Sequence, residues 1–189
     1  MAAVRATRRA LPVMLAAGHG VIITICSANA HLPDPTAMDY SAAKAALANF
    51  CKALSKEAGP QGIRANTVSP GPVATDLWLG QGGVAATVSA ATGAKPDDVA
   101  SQAAHQMVTG RFTKPGEVAD LVVFVASDLA ANVTGADFAI DGGLIPTWQA
   151  ELPWAGIMQF DPNRMSGLPC AGRPVTCPSG LPVVARLNS

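Results

Sequence analysis

The chain has 189 residues, of which 49% are hydrophobic and 14% charged, and its formal net charge is zero. So little charge, evenly balanced, gives no electrostatic footing for a nucleic-acid or anionic-membrane partner. No apolar run approaches the roughly 18 residues of a membrane-spanning helix, and the length suffices for one sizeable core, or one core plus a tail.

Residues 1–17 read as a helix, with Ala3, Val4, Ala10, Leu11, Met14 and Leu15 apolar and Pro12 as a site for a kink. Gly18 and Gly20 bracket its stop. Arg5, Arg8 and Arg9 precede an apolar stretch, with no acidic residue before Asp34, so this end also imitates a targeting leader. Residues 21–26 form an almost unbroken apolar run rich in β-branched side chains, as in a strand buried on both faces. Residues 28–36 are a loop broken by Pro33 and Pro35, and residues 37–58 a long helix ended by Gly59, Pro60 and Gly62. A second strand is predicted over 63–68 and a turn over 69–72. Residues 77–94 are rich in Gly, Ala and Thr without a sustained period and read as mobile. Residues 96–107 and 115–126 read as helices, the first with Asp97 and Asp98 near its N-terminal dipole, the second with Val118, Leu121, Val122 and Val125 on one face. A third strand is expected over 138–140. Helices alternating with buried strands predict α/β layering around a parallel sheet.

Beyond about residue 148 prolines recur at 153, 162, 169, 174, 178 and 182 and no period survives. Two domains are therefore expected, a folded body over 1–148 and a Pro/Gly-rich irregular tail over 149–189, on which Trp154 and Phe160 could still dock. Cys26, Cys51, Cys170 and Cys177 form no C-x-x-C, and the inner two sit in apolar contexts. Reduced thiols in a cytoplasmic protein are the expectation. His19, His31 and His105 show no ligand spacing, so no metal site is predicted.

The chemistry-bearing stretch runs from residue 26 to residue 54. Tyr40, the one tyrosine of the chain, has Lys44 four residues on, so on a helix the two share a face. At about 100° per residue, Tyr40, Lys44, Leu47, Cys51 and Leu54 fall within one stripe. A lysine aimed along a core-facing stripe needs a partner. An ammonium beside a phenol favours phenolate, which suits the phenol to acid–base work. Ser27, at the end of the first predicted strand, offers a hydroxyl toward developing negative charge. The same spacing also describes a core tyrosine with a lysine snorkelling to solvent.

Ser27, then Tyr40 thirteen residues later, then Lys44, resembles the active-site segment of the short-chain dehydrogenase/reductase family. So do three neighbouring stretches. G-V-I-I-T-I-C-S, residues 20–27, is similar to the strand that ends in the family's catalytic serine. R-A-N-T-V-S-P-G-P-V-A-T-D, residues 64–76, resembles the strand and Pro-Gly turn that meet the nicotinamide. Within residues 110–143, G-R-F-T-K-P-G-E-V-A, F-V-A-S-D and T-G-A-D-F-A-I-D-G-G look like the last helix and strand. The resemblance covers roughly residues 4–144.

It implies a partial Rossmann-like, doubly wound sheet with flanking helices and NAD(P)-dependent hydride transfer between an alcohol and a carbonyl. Tyr40 would be the acid/base, Lys44 would assist it and bind the nicotinamide ribose, and Ser27 would hold the substrate oxygen. Cys26 stands where many relatives carry another serine. Pro70, Gly71, Val73 and Thr75 match the stretch at the cofactor's carboxamide edge; a plain turn is the alternative reading of Pro70-Gly71. Residues 77–107 correspond to the substrate lid, whose small apolar content suggests a weakly polar substrate. Residues 1–17 would be the helix leading into the serine strand. With the helix over 37–58 it corresponds to a subunit-pairing surface, so a homo-oligomer is implied. The family's T-G-x-x-x-G-x-G turn is not in this sequence; Gly80-Gln81-Gly82-Gly83 is the nearest cluster and does not follow a strand. The residue that selects NAD or NADP, the N-N-A-G segment and the helix asparagine are missing too. The sequence resembles a reductase's C-terminal half, begun internally or cut. The expectation is an incomplete cofactor site and an open apolar edge at residues 21–26. Two functions follow: an oxidoreductase fragment, or a catalytically silent relative that pairs with other subunits.

Overall fold

The computed structural model describes residues 2–146. The expected domain boundary, the tail over 149–189 and the two cysteines within it lie outside the described residues. Helix α1 (Ala2–Ala17) leads into strand β1 (Gly20–Ile25), and helix α2 (Met38–Ala58) into strand β2 (Ile63–Pro70). Helices α3 (Asp76–Leu79), α4 (Val84–Thr92), α5 (Pro96–His105) and α6 (Pro115–Ala126) follow, then strand β3 (Asp137–Ile140). The strands form one parallel sheet in the order β1-β2-β3. Flanking helices and parallel strands make this a Rossmann-like α/β fold, as expected.

The main core lies between the sheet and the first two helices. Cys51, Leu54 and Ala58 of α2 pack with Ile63 and Ala65 of β2, and Leu11, Met14 and Leu15 of α1, with Ile22 and Phe50, close around them. Residues 2–17, within the stretch with the leader-like pattern, thus form a core-packing helix. Pro12 is inside α1 at an exposed position.

Strand β2 is the middle of the sheet and buried along nearly its whole length, yet it carries Arg64, Asn66, Thr67 and Ser69. Buried polar groups must find partners. Asn66 Nδ2 donates to the Val133 carbonyl at 2.8 Å, and its Oδ1 accepts from Ala136 N at 3.0 Å. The guanidinium of Arg64 donates to the carbonyls of Val125, Ala126, Ser127 and Val133, at 2.8, 3.1, 3.0 and 3.3 Å. It thereby caps the C-terminal carbonyls of α6 and ties that helix to the sheet. Between α2 and β2, Gly62 sits at φ 82°. A side chain there would be strained, and its Cβ would meet the Gly18 carbonyl.

Three expectations need correction. Strand β2 extends through Ser69 and Pro70, because Pro70 pairs with Ile140 and Gly71 N donates to the Ile140 carbonyl at 3.1 Å. The predicted turn therefore starts later. Residues 77–94 hold helices: α3 is a single turn that follows Thr75, too short to show a period, and α4 is built from small residues with no apolar contrast to read. Trp78 of α3 meets Phe112 edge-on at a centroid distance of 5.2 Å, which anchors this stretch to the connector before α6. Residues 28–30 form a 3-10 turn inside the predicted loop.

Two tests follow from these ties. Replacing Arg64 by Ala leaves several helix-end carbonyls without their charged donor, so a loss of about 2–4 kcal/mol is expected. Urea unfolding measures it, and a loss within experimental error would show that α6 is held by packing alone. At the start of α6, Glu117 accepts from Arg111 Nη2 at 2.7 Å and from Lys114 N at 2.8 Å. The Arg111 hydrogen bond is the larger cause that lowers its pKa from 4.5 to about 2. A depressed carboxylate contributes stability above its unfolded pKa and loses it as pH falls through the folded one. Wild type and Glu117→Gln should therefore differ above about pH 4.5 and converge toward pH 2. Thermal unfolding across that range checks the convergence.

Candidate active site

Parallel register sets the site. Ile25 is level with Val68, and Val68 with Phe138, so all three strands end on one edge of the sheet. Ligands of open α/β sheets gather beyond such an edge. The ladder continues one step past β1, where Cys26 N donates to the Val68 carbonyl at 2.7 Å. Ser27 comes next and opens the 3-10 turn Ala28–Ala30. It is buried, and its Oγ accepts from Asn29 N at 3.2 Å. With a lone pair engaged by that amide, the hydroxyl hydrogen is left to donate outward.

Helix α2 brings the other two residues. Its start is fixed by Ser41, which is buried, accepts from Asp34 N at 3.2 Å and donates to the Ala37 carbonyl at 2.9 Å. The loop before it is folded on Asp34, whose Oδ1 accepts from Thr36 N and Oγ1 at 2.8 and 2.7 Å. The Thr36 hydroxyl is the leading cause of that carboxyl's lowered pKa. The predicted stripe does not stay in the core. Cys51 and Leu54 are buried, Leu47 and Lys44 are half-buried, and Tyr40 is 44% exposed. The stripe climbs out of the core and delivers its phenol to the surface.

Lys44 is where the pieces meet. Its ammonium stands 5.5 Å from the Tyr40 ring centroid, within cation–π range. It donates to the Ile25 carbonyl at 3.1 Å, two residues before Ser27. One hydrogen bond leaves an ammonium with further donors. Beneath it, Cys26 Sγ donates to the Lys44 carbonyl at 3.1 Å. Burial is the leading cause that raises the pKa of both Cys26 and Cys51, so these thiols stay protonated and act as structural groups.

Pro70 and Gly71 lie at the same carboxyl edge. The approach is tight: a Cβ on Gly71 would fall 2.9 Å from Asp141 Cα. Asp141 itself is buried and accepts from Gly143 N at 3.0 Å and Ile145 N at 2.9 Å. Val73 pairs with Thr113 across an isolated bridge, and Ala74 N donates to the Thr113 carbonyl at 2.9 Å. Thr75 precedes α3, and its Oγ1 donates to the Val73 carbonyl at 3.4 Å. Residues 70–75 thus form a held ledge beside the strand ends. Lys44 is brought to Tyr40 and to the end of β1. Ser27 is on that same edge.

Sequence reasoning missed one cluster. Asp137, the first residue of β3, accepts from Ser69 Oγ at 2.7 Å and from Thr67 Oγ1, and its other oxygen lies 2.8 Å from His31 Nε2. Alternation along β2, which puts Thr67 and Ser69 on one face, was the available signal. The partner lies far along the chain and could not be read locally.

The family model described as "Enoyl-(Acyl carrier protein) reductase" matches residues 1–145. The chain is 36% identical to a cis-4-hydroxycyclohexanecarboxylate dehydrogenase of Sinomonas cyclohexanicum, over 72% of this chain and 49% of that protein. It is 34% identical to a 3-oxoacyl-(acyl-carrier-protein) reductase of Escherichia coli, over 74% of this chain and 52% of the relative. The chain thus spans only about half the length of these curated relatives. Among solved structures, the L-sorbose reductase of Gluconobacter frateurii, complexed with NADPH and L-sorbose, aligns with a TM-score of 0.71 at 33% identity. That alignment covers 78% of this chain and 56% of the reductase. Sequence match, parallel sheet and the convergence of Lys44 with Tyr40 at the strand ends agree: the chain belongs to the short-chain dehydrogenase/reductase family.

Proposed function

We propose that this chain carries the proton-handling half of an NAD(P)-dependent oxidoreductase that interconverts a small-molecule alcohol and its carbonyl. The observation that supports it most is the placement of the Lys44 ammonium, 5.5 Å from the Tyr40 ring centroid and bonded at 3.1 Å to the carbonyl that closes β1. The family to which the chain belongs, and relatives named as dehydrogenases and reductases, support the same reading.

The donor set suits the nicotinamide end of NAD or NADP. Lys44 has donors to spare for a ribose hydroxyl, and Pro70, Gly71, Val73 and Thr75 make a ledge of backbone and hydroxyl groups at the strand ends. When bound, the nicotinamide supplies or accepts the hydride at the substrate carbon. The chain's own residues handle the oxygen. In the reducing direction Tyr40 gives its phenolic proton to the carbonyl oxygen as that oxygen gains negative charge. Ser27 donates its hydroxyl hydrogen to the same oxygen and holds it in place. The ammonium of Lys44 stabilises the phenolate left on Tyr40. In the oxidising direction each transfer reverses.

A second reading rests on the solvent side of α2. Ala42, Ala43, Ala45, Ala46 and Ala53 are exposed there, and Val13 is exposed on α1. Small side chains allow close helix approach, which favours pairing of this surface in a homo-oligomer. Pairing through this surface suits an active fragment and equally a catalytically silent relative, and turnover separates the two.

Carbonyl reduction with NADH or NADPH, followed by absorbance over a panel of ketones, tests the first reading. Tyr40→Phe should cut turnover by about 10²–10⁴-fold, and Ser27→Ala by about 10²-fold. A Tyr40→Phe variant at the wild-type rate would refute the assignment. Because the T-G-x-x-x-G-x-G pattern of a pyrophosphate-cradling turn is not in this sequence, the 189-residue chain alone should hold NADPH only weakly. Fluorescence titration reads this directly, and a micromolar Kd would overturn the incomplete-site expectation.

A further inference from the structure

We propose that His31 and Asp137 form a positioning clamp for the turn that bears Ser27. Ser27 and His31 are the two ends of one short 3-10 turn. Ser27 opens it: its carbonyl accepts from Ala30 N at 3.0 Å and its Oγ accepts from Asn29 N. His31 closes it, donating its own N–H to the Ala28 carbonyl at 3.0 Å. At the Ser27 end the turn is anchored covalently to β1. At the His31 end it is anchored by a side chain that crosses the sheet.

Asp137 is well suited to be that second anchor. It lies on β3, with β2 between it and β1. One carboxylate oxygen is engaged by the Thr67 and Ser69 hydroxyls of β2, which fixes the plane of the group. The other oxygen, 2.8 Å from His31 Nε2, is thereby aimed at the turn. An ionised carboxylate only accepts, so Nε2 is the donor whether the imidazole is neutral or charged. The pair is partly shielded, with side-chain exposures of 20% and 24%. A charge-assisted bond in that setting holds geometry more firmly than one in open water. The consequence falls on Ser27. If the His31 end is released, the turn is free to unwind, and the Asn29 amide that engages Ser27 Oγ swings away. The functional meaning of the clamp rests on the role given to Ser27 above, whereas its existence does not.

Hydrogen exchange by NMR on the full chain tests the clamp directly. In His31→Ala, the amides of Asn29, Ala30, residue 31 and Leu32 should exchange at least about tenfold faster than in wild type, while Ala65 and Thr67 in β2 keep their rates. His31→Gln, which can donate an amide N–H to the same oxygen, should recover most of the protection. Unchanged exchange in His31→Ala would overturn the proposal. So would acceleration spread equally over β2, since the pair would then stabilise the sheet as a whole. The readout needs no turnover. A chain that reduces no ketone even at saturating NADPH, yet shows the local effect, would sink the oxidoreductase reading and leave the clamp standing.

Discussion

The structure depends on the polar cargo of a buried strand. A middle strand in a parallel sheet is usually an apolar run, because both faces are covered. Strand β2 instead carries a guanidinium, an amide and two hydroxyls, and each needs a partner away from water. Those partners are supplied by segments distant in sequence. Arg64 binds the end of α6, Asn66 binds the loop around Val133 and Ala136, and Thr67 and Ser69 bind the carboxylate that starts β3. A shift of β3 against β2 would strand these groups. Specific polar pairing therefore adds to the apolar packing that sets the register, and the register aligns the strand ends.

Helix α2 turns that alignment into a site. Its C-terminal half is committed to the core through Cys51, Leu54 and Ala58. Its N-terminal half rises past the strand ends, so its inward face passes from buried thiol to half-buried ammonium to exposed phenol. The cost of placing Lys44 there is met locally by the Ile25 carbonyl. That carbonyl lies at the end of β1, where the chain turns off the sheet toward Ser27. The hydrogen bond to it holds the cation beside the Tyr40 ring, 5.5 Å from its centroid, and leaves it further donors.

Much of this was legible in the sequence, for reasons that differ between elements. Strand β1 announced itself by its run of β-branched residues, α2 by its stripe and α6 by its apolar face, because in each the burial pattern repeats over several turns or residues. The pairing of Tyr40 with Lys44 was legible because helical geometry makes it local. The exposure of Tyr40 was not, since the wheel gives direction but not depth along a helix that leaves the core. Helices α3 and α4 were hidden for another reason. One is a single turn, and the other has too little contrast between its small apolar and polar residues for a period to show. The partnership of His31 with Asp137 links residues that no local pattern connects.

The edge of the sheet carries the last physical consequence. Among the described residues β1 pairs on one side only, with β2, and its side chains are half-buried apart from Ile25, which is 46% exposed. An apolar strand with an open side is a surface that favours further pairing. Lys44, which faces the Tyr40 ring and donates to the Ile25 carbonyl, is placed at the strand's carboxyl end by α2. In the proposed reading, proton handling and cofactor phosphate binding are therefore separable. The residues proposed for the first meet through contacts within residues 25–44, and the second would call on a glycine-rich turn whose T-G-x-x-x-G-x-G pattern is not in this sequence.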